Sequence, residues 1–302
     1  MMTSRDWLQL MLLSAIWGAS FLLIQISGHS FPPAWVALLR LVFGAAFLWT
    51  VLLTRSGSLP PRRHIATLLL VALLNNAIPF AFFAWGEQTV PSSIAAILNA
   101  TTPIWTLILG VAIGAAASSR YTIYGVLLGF CGVLLVVLGH GAGSNSGGFS
   151  RGIVLIALAS LSYAVATVIA KAKLKGFDPI GLATTQLTLA GLMVLPVALF
   201  GPHPASIPVS SALAVIVLGV AGSGLAYLLY YRLLARVSST HVASVTYLLP
   251  IWGLFWGSIA HERIRWTAYV GVLIVIAGLA LLNRSGAAQP VRQKVCADPA
   301  MS

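Results

Sequence analysis

The sequence predicts an all-α integral membrane protein whose ten transmembrane helices form two five-helix repeats of inverted topology (5+5). Three observations predict this fold: the composition, a series of apolar segments of membrane-spanning length, and an internal duplication. Of the 302 residues, 59% are hydrophobic and only 7% are charged, whereas about 25% of the residues in soluble domains are charged. The chain therefore cannot cover a water-exposed surface with polar groups, and we expect lipid to solvate most of it.

Ten apolar segments follow one another along the chain, separated by turn-forming residues. Each segment has about 20 residues, which at about 1.5 Å per residue crosses a hydrocarbon core of roughly 30 Å. The segments are continuously apolar and do not alternate, which favours helices over the strands of a membrane barrel. The first is too long for the core of a signal peptide, so we expect it to remain as helix 1. The predicted helices span residues 7–28, 33–53, 65–86, 92–115, 120–139, 151–172, 179–200, 211–234, 240–260 and 266–283.

The second half of the chain repeats the first at a spacing of 146 or 147 residues. The tripeptide Pro-Ile-Trp at 103–105 returns at 250–252, in the middle of predicted helices 4 and 9. The register holds over nearly five segments, with slips of one residue in the loops. Other matched pairs are Trp17 with Tyr163, Gly125 with Gly271, and Gly132 with Gly278. We therefore predict a first repeat over residues 1–145, a second repeat over 146–284, and a cytoplasmic tail over 285–302.

The odd number of helices in each repeat predicts that the second repeat lies upside down in the membrane. The loop at 54–63 is basic, whereas its counterpart at 200–208 has no Lys or Arg. Inverted repeats of this kind are typical of carriers that alternate access to a site near the membrane midplane. The duplicated tripeptide falls at that depth.

The basic residues predict the orientation. With a cytoplasmic N-terminus, 13 of the 17 Lys and Arg residues lie on the inner side, so the positive-inside rule predicts that both termini are cytoplasmic. The net charge of +12 is divided among short loops and forms no single patch. We therefore expect no binding of nucleic acid.

A candidate substrate cavity follows from the residues at midplane depth, which are mostly aromatic or neutral hydrogen-bonding groups. A cavity with such a lining suits an amphipathic or zwitterionic solute. Packing between helices is the alternative role for each of these residues. Pro103 and Pro250 lie at the same depth. The candidate residues are Trp17, Ser20, Asn76, Pro79, Phe80, Phe83, Asn99, Thr102, Tyr163, Ser223, Tyr227, Tyr230, Thr246 and Tyr247.

Arg40 is the formally charged residue that falls well inside a predicted span. A charge there costs about 2.5–3.5 kcal/mol on insertion scales, so it should have a partner. Two roles remain open. Arg40 could receive the carboxylate of a substrate, or it could be structural, pairing with Glu87 at the outer end of helix 3 or extending to the membrane interface.

The residue inventory argues against an enzyme. The stretch AGSG at 221–224 lacks the first glycine of an intramembrane serine protease motif, and no later span offers a midplane histidine as base. We expect no metal, because Cys and His show no metal-ligand spacing, and no cofactor. A phosphate-binding loop for ATP is also lacking. The carboxylates fall at span ends, so no proton acceptor is evident at the midplane and the energy coupling stays open.

Several stretches together resemble the EamA group of the drug/metabolite transporter superfamily. They are Trp17-Gly18, Arg40, SSIAAILNATTP at 92–103, STHVASVTYLLP at 239–250 and HERIRW at 261–266. The pattern departs at AAASSR, 115–120, where the family often has an acidic residue, which leaves the role of this loop open.

The resemblance implies a multi-pass secondary transporter of the bacterial inner membrane that exports amino acids or other small metabolites. The aromatic-rich middle is similar to that of the YddG-type exporters of aromatic and other neutral amino acids. The expected partners are a small-molecule substrate and the lipid bilayer, with the protein a monomer or weak homodimer. The alternatives are a passive channel or facilitator for small neutral solutes, and a carrier for multidrug or other metabolite efflux.

Overall fold

A computed structural model describes residues 3–114, 120–141, 147–234, 236 and 245–287, and this part of the chain contains helices but no strand. Most of the predicted tail, from 288 to 302, lies outside the described residues, as do 115–119 in the loop after predicted helix 4. The helices are α1 (Ser4–Gly28), α2 (Pro33–Thr54), α3 (Arg62–Gly86), α4 (Ser92–Ala112), α5 (Arg120–Gly141), α6 (Gly147–Lys173), α7 (Pro179–Phe200), α8 (Val209–Leu233), α9 (Val245–Ile259) and α10 (Trp266–Ala287).

Seven of the described helices, α1–α4 and α6–α8, are long and apolar enough to cross a membrane. The other three carry shorter apolar stretches, Ile123–Gly139, Val245–Ile259 and Trp266–Leu281. The prediction of an all-helical membrane protein is therefore confirmed. The exact number of ten spans stays a prediction.

Local sequence explains several helix starts. Thr3 caps α1, because its side chain accepts from the Asp6 backbone N–H while the Asp6 carboxylate accepts from Thr3. Asp178 caps α7 by accepting from the N–H groups of Ile180 (3.3 Å) and Gly181 (3.2 Å). Proline at the first position of α2 and α7 has the backbone angle that a helix start requires.

Two helices contain a π-helical turn at equivalent positions. In α3 the turn covers Leu73–Ala77, and in α8 it covers Val220–Leu225, which begins 147 residues later. Pro79 follows the first turn and cannot donate a backbone hydrogen bond, so the preceding backbone widens around the missing donor. Two glycines, Gly222 and Gly224, lie in the second turn, where they lower the resistance of the backbone to the same distortion. Such turns often occur at functional sites.

Pro103 interrupts α4, as its position in the middle of a predicted span suggests. The α-helical hydrogen bonding stops at Asn99 and resumes at Thr102, because the proline nitrogen has no proton to donate. The equivalent Pro250 lies inside the continuous helix α9, and Pro196 lies inside α7. The duplicated tripeptide therefore breaks the helix in α4 but not in α9.

The helices pack in pairs that match across the two halves of the chain. Helix α1 packs against α8 and α9 of the second half, and α6 packs against α3 and α4 of the first. Helix α2 packs against its counterpart α7, and α5 packs against its counterpart α10. Each half therefore completes the core of the other, and several candidate residues contact each other across the halves: Arg40 and Ser223, Asn76 and Tyr227, Trp17 and Tyr230, and Phe83 and Tyr163.

The contact between α5 and α10 depends on two glycines that face each other, Gly132 and Gly271. A Cβ atom added to Gly132 would lie 2.7 Å from the Gly271 carbonyl oxygen, and one added to Gly271 would lie 2.7 Å from the Gly132 carbonyl oxygen. The backbones of the two helices therefore touch, which is the close approach that small residues allow between membrane helices.

Candidate functional site

Arg40 lies at the centre of the contact between the halves. Its side chain is buried, its Nε donates to Ser223 Oγ at 3.0 Å, and its guanidinium carbon lies 3.7 Å from the centre of the Phe80 ring. The bond to Ser223 is the one hydrogen bond that Arg40 makes within the described residues. A guanidinium has five N–H donors, so most of its donor capacity is not used by these neighbours.

Residues of both π-helical turns are linked to this arginine, Ser223 directly and Asn76 by way of Tyr227. Ser223 belongs to the turn in α8, and Asn76 occupies the equivalent position, 147 residues earlier, in the turn of α3. The Asn76 amide nitrogen donates to Tyr227 Oη at 3.1 Å, while its buried Oδ1 has no hydrogen-bond partner in the described part of the chain. The turns therefore place a cation, an amide acceptor and a phenol in one cluster, which we call the Arg40 cluster: Arg40, Asn76, Phe80, Ser223 and Tyr227.

Aromatic rings extend the Arg40 cluster in two directions. On one side, Phe83 contacts Phe21 with ring centres 5.4 Å apart and Tyr163 with ring centres 6.3 Å apart. The phenol groups of Tyr163 and Tyr227 also lie within range of the Arg40 charge. On the other side, Trp17 of α1 contacts Tyr230 of α8, with ring centres 5.7 Å apart. The rings join helices of both halves, as expected for the walls of a shared site.

Burial divides the candidate residues into two groups. The members of the Arg40 cluster other than Tyr227 are buried, as are Ser20, Pro79 and Phe83. The other group is only half buried although several of its members contact the buried residues: Trp17, Asn99, Thr102, Tyr163, Tyr227, Tyr230, Thr246 and Tyr247. The structure thus encloses the polar centre tightly and leaves accessible surface on the aromatic side chains around it.

Some candidate residues make local or peripheral contacts. Thr102 donates to the Asn99 carbonyl at 2.8 Å, within the break of α4. Ser20 donates to the Ile16 carbonyl within α1, at 3.1 Å. Tyr247 donates to the Leu279 carbonyl of α10 at 2.6 Å. These bonds correspond to the packing role that was left open for each residue.

The tryptophans of the duplicated tripeptide also face neighbouring helices. Trp105 contacts Phe130 of α5, with ring centres 5.2 Å apart. The Trp252 indole donates to Ser14 Oγ of α1 at 2.9 Å and packs closely over Gly18. The tripeptide therefore contributes to helix packing at the depth of the site and is not part of the Arg40 cluster.

The structural pairing with Glu87, one of the roles left open for Arg40, is not formed as a hydrogen-bonded ion pair among the described residues, and the two charges act on each other only over a longer distance. Glu87 ends α3 as predicted, but it is buried and neither of its carboxylate oxygens has a hydrogen-bond partner. The reason is the direction of the Arg40 side chain, which extends to Ser223 of α8. Sequence spacing allows a long side chain at Arg40 to extend towards Glu87 at the outer end of helix 3, but it cannot specify which neighbour the guanidinium reaches.

Glu262 makes a contact between the halves that the sequence reasoning missed. It lies in the loop between α9 and α10, and its carboxylate accepts from the backbone N–H groups of Ser92 (2.8 Å) and Ser93 (3.2 Å) and from both hydroxyls. The bonds join the second half of the chain to the N-terminus of α4, where unpaired N–H groups favour an anion. We call this contact the Glu262 clamp. The sequence feature that could have indicated this contact is Pro91-Ser92-Ser93. It starts a helix but contains no acidic residue to bind the unpaired N–H groups, so an acidic residue from elsewhere in the chain can do so.

Two recesses lie away from the candidate residues. One of about 320 Å³ lies beside Arg55 and Asp178, and one of about 310 Å³ lies between α2 and α7, lined by apolar residues such as Leu41, Leu187 and Leu195. Neither includes a residue of the predicted cavity.

Protein-family comparison identifies the group to which this arrangement belongs. The model of the EamA-like transporter family matches residues 6–138 and 150–284. The chain belongs to the EamA-like transporter family. The resemblance that its motifs indicate is therefore confirmed, and the Arg40 cluster and the Glu262 clamp are features of an EamA-like chain.

Relatives of this EamA-like chain carry transporter names. It is 29% identical over 278 residues to the uncharacterized inner membrane transporter YedA of Escherichia coli (strain K12), covering 89% of this chain and 88% of YedA. It is 23% identical over 268 residues to the uncharacterized transporter YoaV of Bacillus subtilis (strain 168), covering 87% of this chain and 91% of YoaV. A solved crystal structure shares the fold, with a TM-score of 0.67 at 20% identity over 93% of this chain and 97% of that chain.

Proposed function

We propose that this EamA-like protein is a secondary transporter of the bacterial inner membrane that exports aromatic and other neutral amino acids. Its ten helices form two inverted repeats, residues 1–145 and 146–284, with both termini and the tail in the cytoplasm. The solute binds between the repeats, at the Arg40 cluster, and access alternates between the two sides of the membrane. The relatives named as transporters and the family membership support the general role, and the chemistry of the site supports the solute class.

The inverted arrangement is supported by contacts at both ends of the bundle. At one end, Thr89 after α3 donates to the Gly148 carbonyl at the start of α6, at 2.9 Å. At the other end, Leu10 near the start of α1 packs in one buried cluster with Leu229 and Leu233 near the end of α8. Helices α1 and α6, which are equivalent, thus begin at opposite ends. The paired π-helical turns and the two ranges matched by the family model fit the same division.

The observation that carries the proposed solute class is the buried Arg40 without a carboxylate bound to it in the described part of the chain. An intramembrane charge is a functional feature by default, since burying it is costly. The guanidinium can bind a carboxylate through paired N–H donors. The Asn76 Oδ1 acceptor, which lacks a partner, can accept from an ammonium group. A zwitterionic amino acid carries both groups, and the surrounding rings suit an aromatic side chain.

Counterflow tests the proposal. The purified full chain is reconstituted in liposomes loaded with unlabelled L-phenylalanine, and we expect it to accumulate labelled L-phenylalanine from outside. Trp17→Ala and Tyr163→Ala should each raise the half-saturating concentration roughly two- to tenfold, because each removes an aromatic contact to the solute. Tyr124→Ala is the matched control, since Tyr124 is an exposed aromatic residue on α5 and should change nothing.

The same assay separates a carrier from a passive channel. A carrier shows saturable counterflow, because unlabelled solute that leaves the liposome returns the binding site to the outside, where it can bind labelled solute. A channel dissipates the gradient without such exchange. Absence of counterflow with phenylalanine, leucine and serine would refute the proposed solute class. Wild-type kinetics in both aromatic variants would refute the proposed cavity.

Accessibility labelling tests the inverted topology. In a background with Cys131 and Cys296 replaced by serine, cysteine is introduced in place of Arg62 or His203, which lie in the equivalent loops of the two repeats. We expect a membrane-impermeant maleimide to label His203→Cys in intact cells and to label Arg62→Cys only after the membrane is opened. Labelling of both positions from the same side would contradict the inverted repeat, because equivalent loops of inverted copies lie on opposite sides.

A further inference from the structure

Glu87 occupies an unusual environment for a carboxylate. It follows the last residue of α3, its backbone N–H donates to the Phe83 carbonyl at 2.9 Å, and its side chain is 5% exposed. Both carboxylate oxygens are buried and have no hydrogen-bond partner among the residues that the structure describes. An ionised carboxylate is costly in such a place, whereas a protonated carboxyl group is neutral and loses much less on leaving water.

The packing around Glu87 closes one end of the bundle. Gly86 packs closely against Ile156 and the Gly152 carbonyl of α6. Five residues after Glu87, Ser92 enters the Glu262 clamp, which ties the loop after α9 to the start of α4. In the proposed topology this is the outer end, so the groups that bury Glu87 would have to separate when the site opens outward.

Two charged groups act on Glu87, and they act in opposite directions. Burial raises the pKa of Glu87 well above its ordinary value, the negative charge of Glu262 raises this pKa further, and the positive charge of Arg40 lowers it. Tyr163 of α6 lies beside Phe83, and Phe83 precedes Glu87 by one turn of α3. Among the side chains that the structure describes, the other histidines and arginines at this end are exposed: His29, Arg151, His203, His261, Arg263 and Arg265.

We propose that Glu87 is a proton-binding site and that its protonation is the condition for closing the outer end of the transporter. This inference rests on the proposed carrier function and on its orientation. When the outer end opens, water reaches Glu87 and the carboxylate ionises by releasing its proton to the outer medium. When the end closes, the carboxylate takes a proton from the same medium and is buried as the neutral acid. Because Glu87 is then neutral, the negative charge of Glu262 in the clamp is not repelled by a second buried anion.

The sign of the pH dependence follows from this cycle. The closed form binds the proton more tightly than the open form, so closure is favoured at low external pH and weakens as the pH rises. Between the pKa values of the open and closed forms, the closing equilibrium falls about tenfold for each pH unit. Where closure limits turnover, counterflow should slow by up to the same factor.

The first test measures counterflow of labelled L-phenylalanine, with equal pH on both sides, from about pH 5 to about pH 9. We expect the wild-type rate to fall as the pH rises from the pKa of Glu87 in the open form towards its higher pKa in the closed form, and Glu87→Gln to retain counterflow with a flat profile. The double variant Glu87→Gln with Gln88→Glu is the matched control. It keeps the net charge but moves the carboxylate to an exposed position, so its profile should also be flat. A profile in Glu87→Gln that follows the wild type would overturn the proposal.

The second test does not depend on transport. Infrared spectra of the purified protein in detergent should contain the carbonyl band of a protonated carboxylic acid that disappears at alkaline pH and is missing in Glu87→Gln and in the double variant. If phenylalanine shows no counterflow but this band is found, the proposed solute fails and the proton site stands. If the band does not differ between the wild type and Glu87→Gln, the proton site fails whatever the solute.

Discussion

Replacing Arg40 by glutamine will raise the half-saturating concentration for L-phenylalanine counterflow by about ten- to a hundredfold, which corresponds to the loss of a hydrogen bond to a charged group. The guanidinium is buried, and within the described residues it is bound through Nε to Ser223 alone. Glutamine retains a donor that can reach Ser223 but removes the positive charge and the paired donors that a carboxylate requires. The measurement is the concentration dependence of counterflow in liposomes.

Two comparisons show whether Arg40 acts on the solute or on the fold. Arg236→Gln removes an exposed cation after α8 and should leave the kinetics unchanged. Phenethylamine, which has the ring and the ammonium group but no carboxylate, should compete weakly with phenylalanine in the wild type and no more weakly in Arg40→Gln. If Arg40→Gln weakens phenylalanine and phenethylamine by the same factor, Arg40 has a structural role and the carboxylate site is refuted.

Replacing Gly132 by leucine will prevent the close approach of α5 and α10 and strongly lower the yield of folded protein. The first side-chain carbon alone would lie 2.7 Å from the Gly271 carbonyl oxygen and 2.8 Å from a methyl carbon of Val275. Overpacking typically costs about 1–3 kcal/mol. The cost should exceed that range here, because two backbones must separate along their length. Thermal stability and size-exclusion profiles in detergent measure the effect.

A leucine at Gly28 is the matched control for this substitution. An added Cβ at Gly28 meets no atom within 4 Å, so Gly28→Leu should preserve both yield and melting temperature. Gly271→Leu should reproduce the defect of Gly132→Leu, since the two glycines meet across the same contact. Normal folding of Gly132→Leu would mean that α5 and α10 do not pack through their backbones.

Much of the fold could be predicted because it depends on the length and apolarity of whole segments, which can be read from the sequence without knowing which residues are neighbours. Length and apolarity identify membrane helices, since each must cross the same thickness of hydrocarbon. The break at Pro103 was predictable because proline lacks the donor that the interior of a helix needs, but the same reasoning fails for Pro196 and Pro250, which lie inside continuous helices. The π-helical turn near Pro79 was not predicted, although the proline indicates a local distortion, because the type of distortion depends on which neighbouring groups accept the freed backbone.

The candidate site was predictable in part. Arg40 and Asn76 were chosen for their depth and chemistry, and the structure brings them into one cluster with Ser223 and Tyr227. Tyr247 was chosen on the same grounds, but its hydroxyl donates to α10. Residues of one type at one depth differ in role because the rotation of each helix decides which neighbour a side chain meets, and hydropathy contains little information on rotation when a helix is apolar on all sides.

The sequence by itself determined that the chain is a helical membrane protein, that its halves are related, and that a charge lies within a span. These properties follow from composition, spacing and repetition, which need no knowledge of neighbours. Only the tertiary structure decided that Arg40 binds Ser223 and not Glu87, that Glu262 clamps the start of α4, and that Glu87 is enclosed without a partner. Hydrogen bonds act over about 3 Å, so these pairings depend on how residues distant in the sequence come together in the packed bundle.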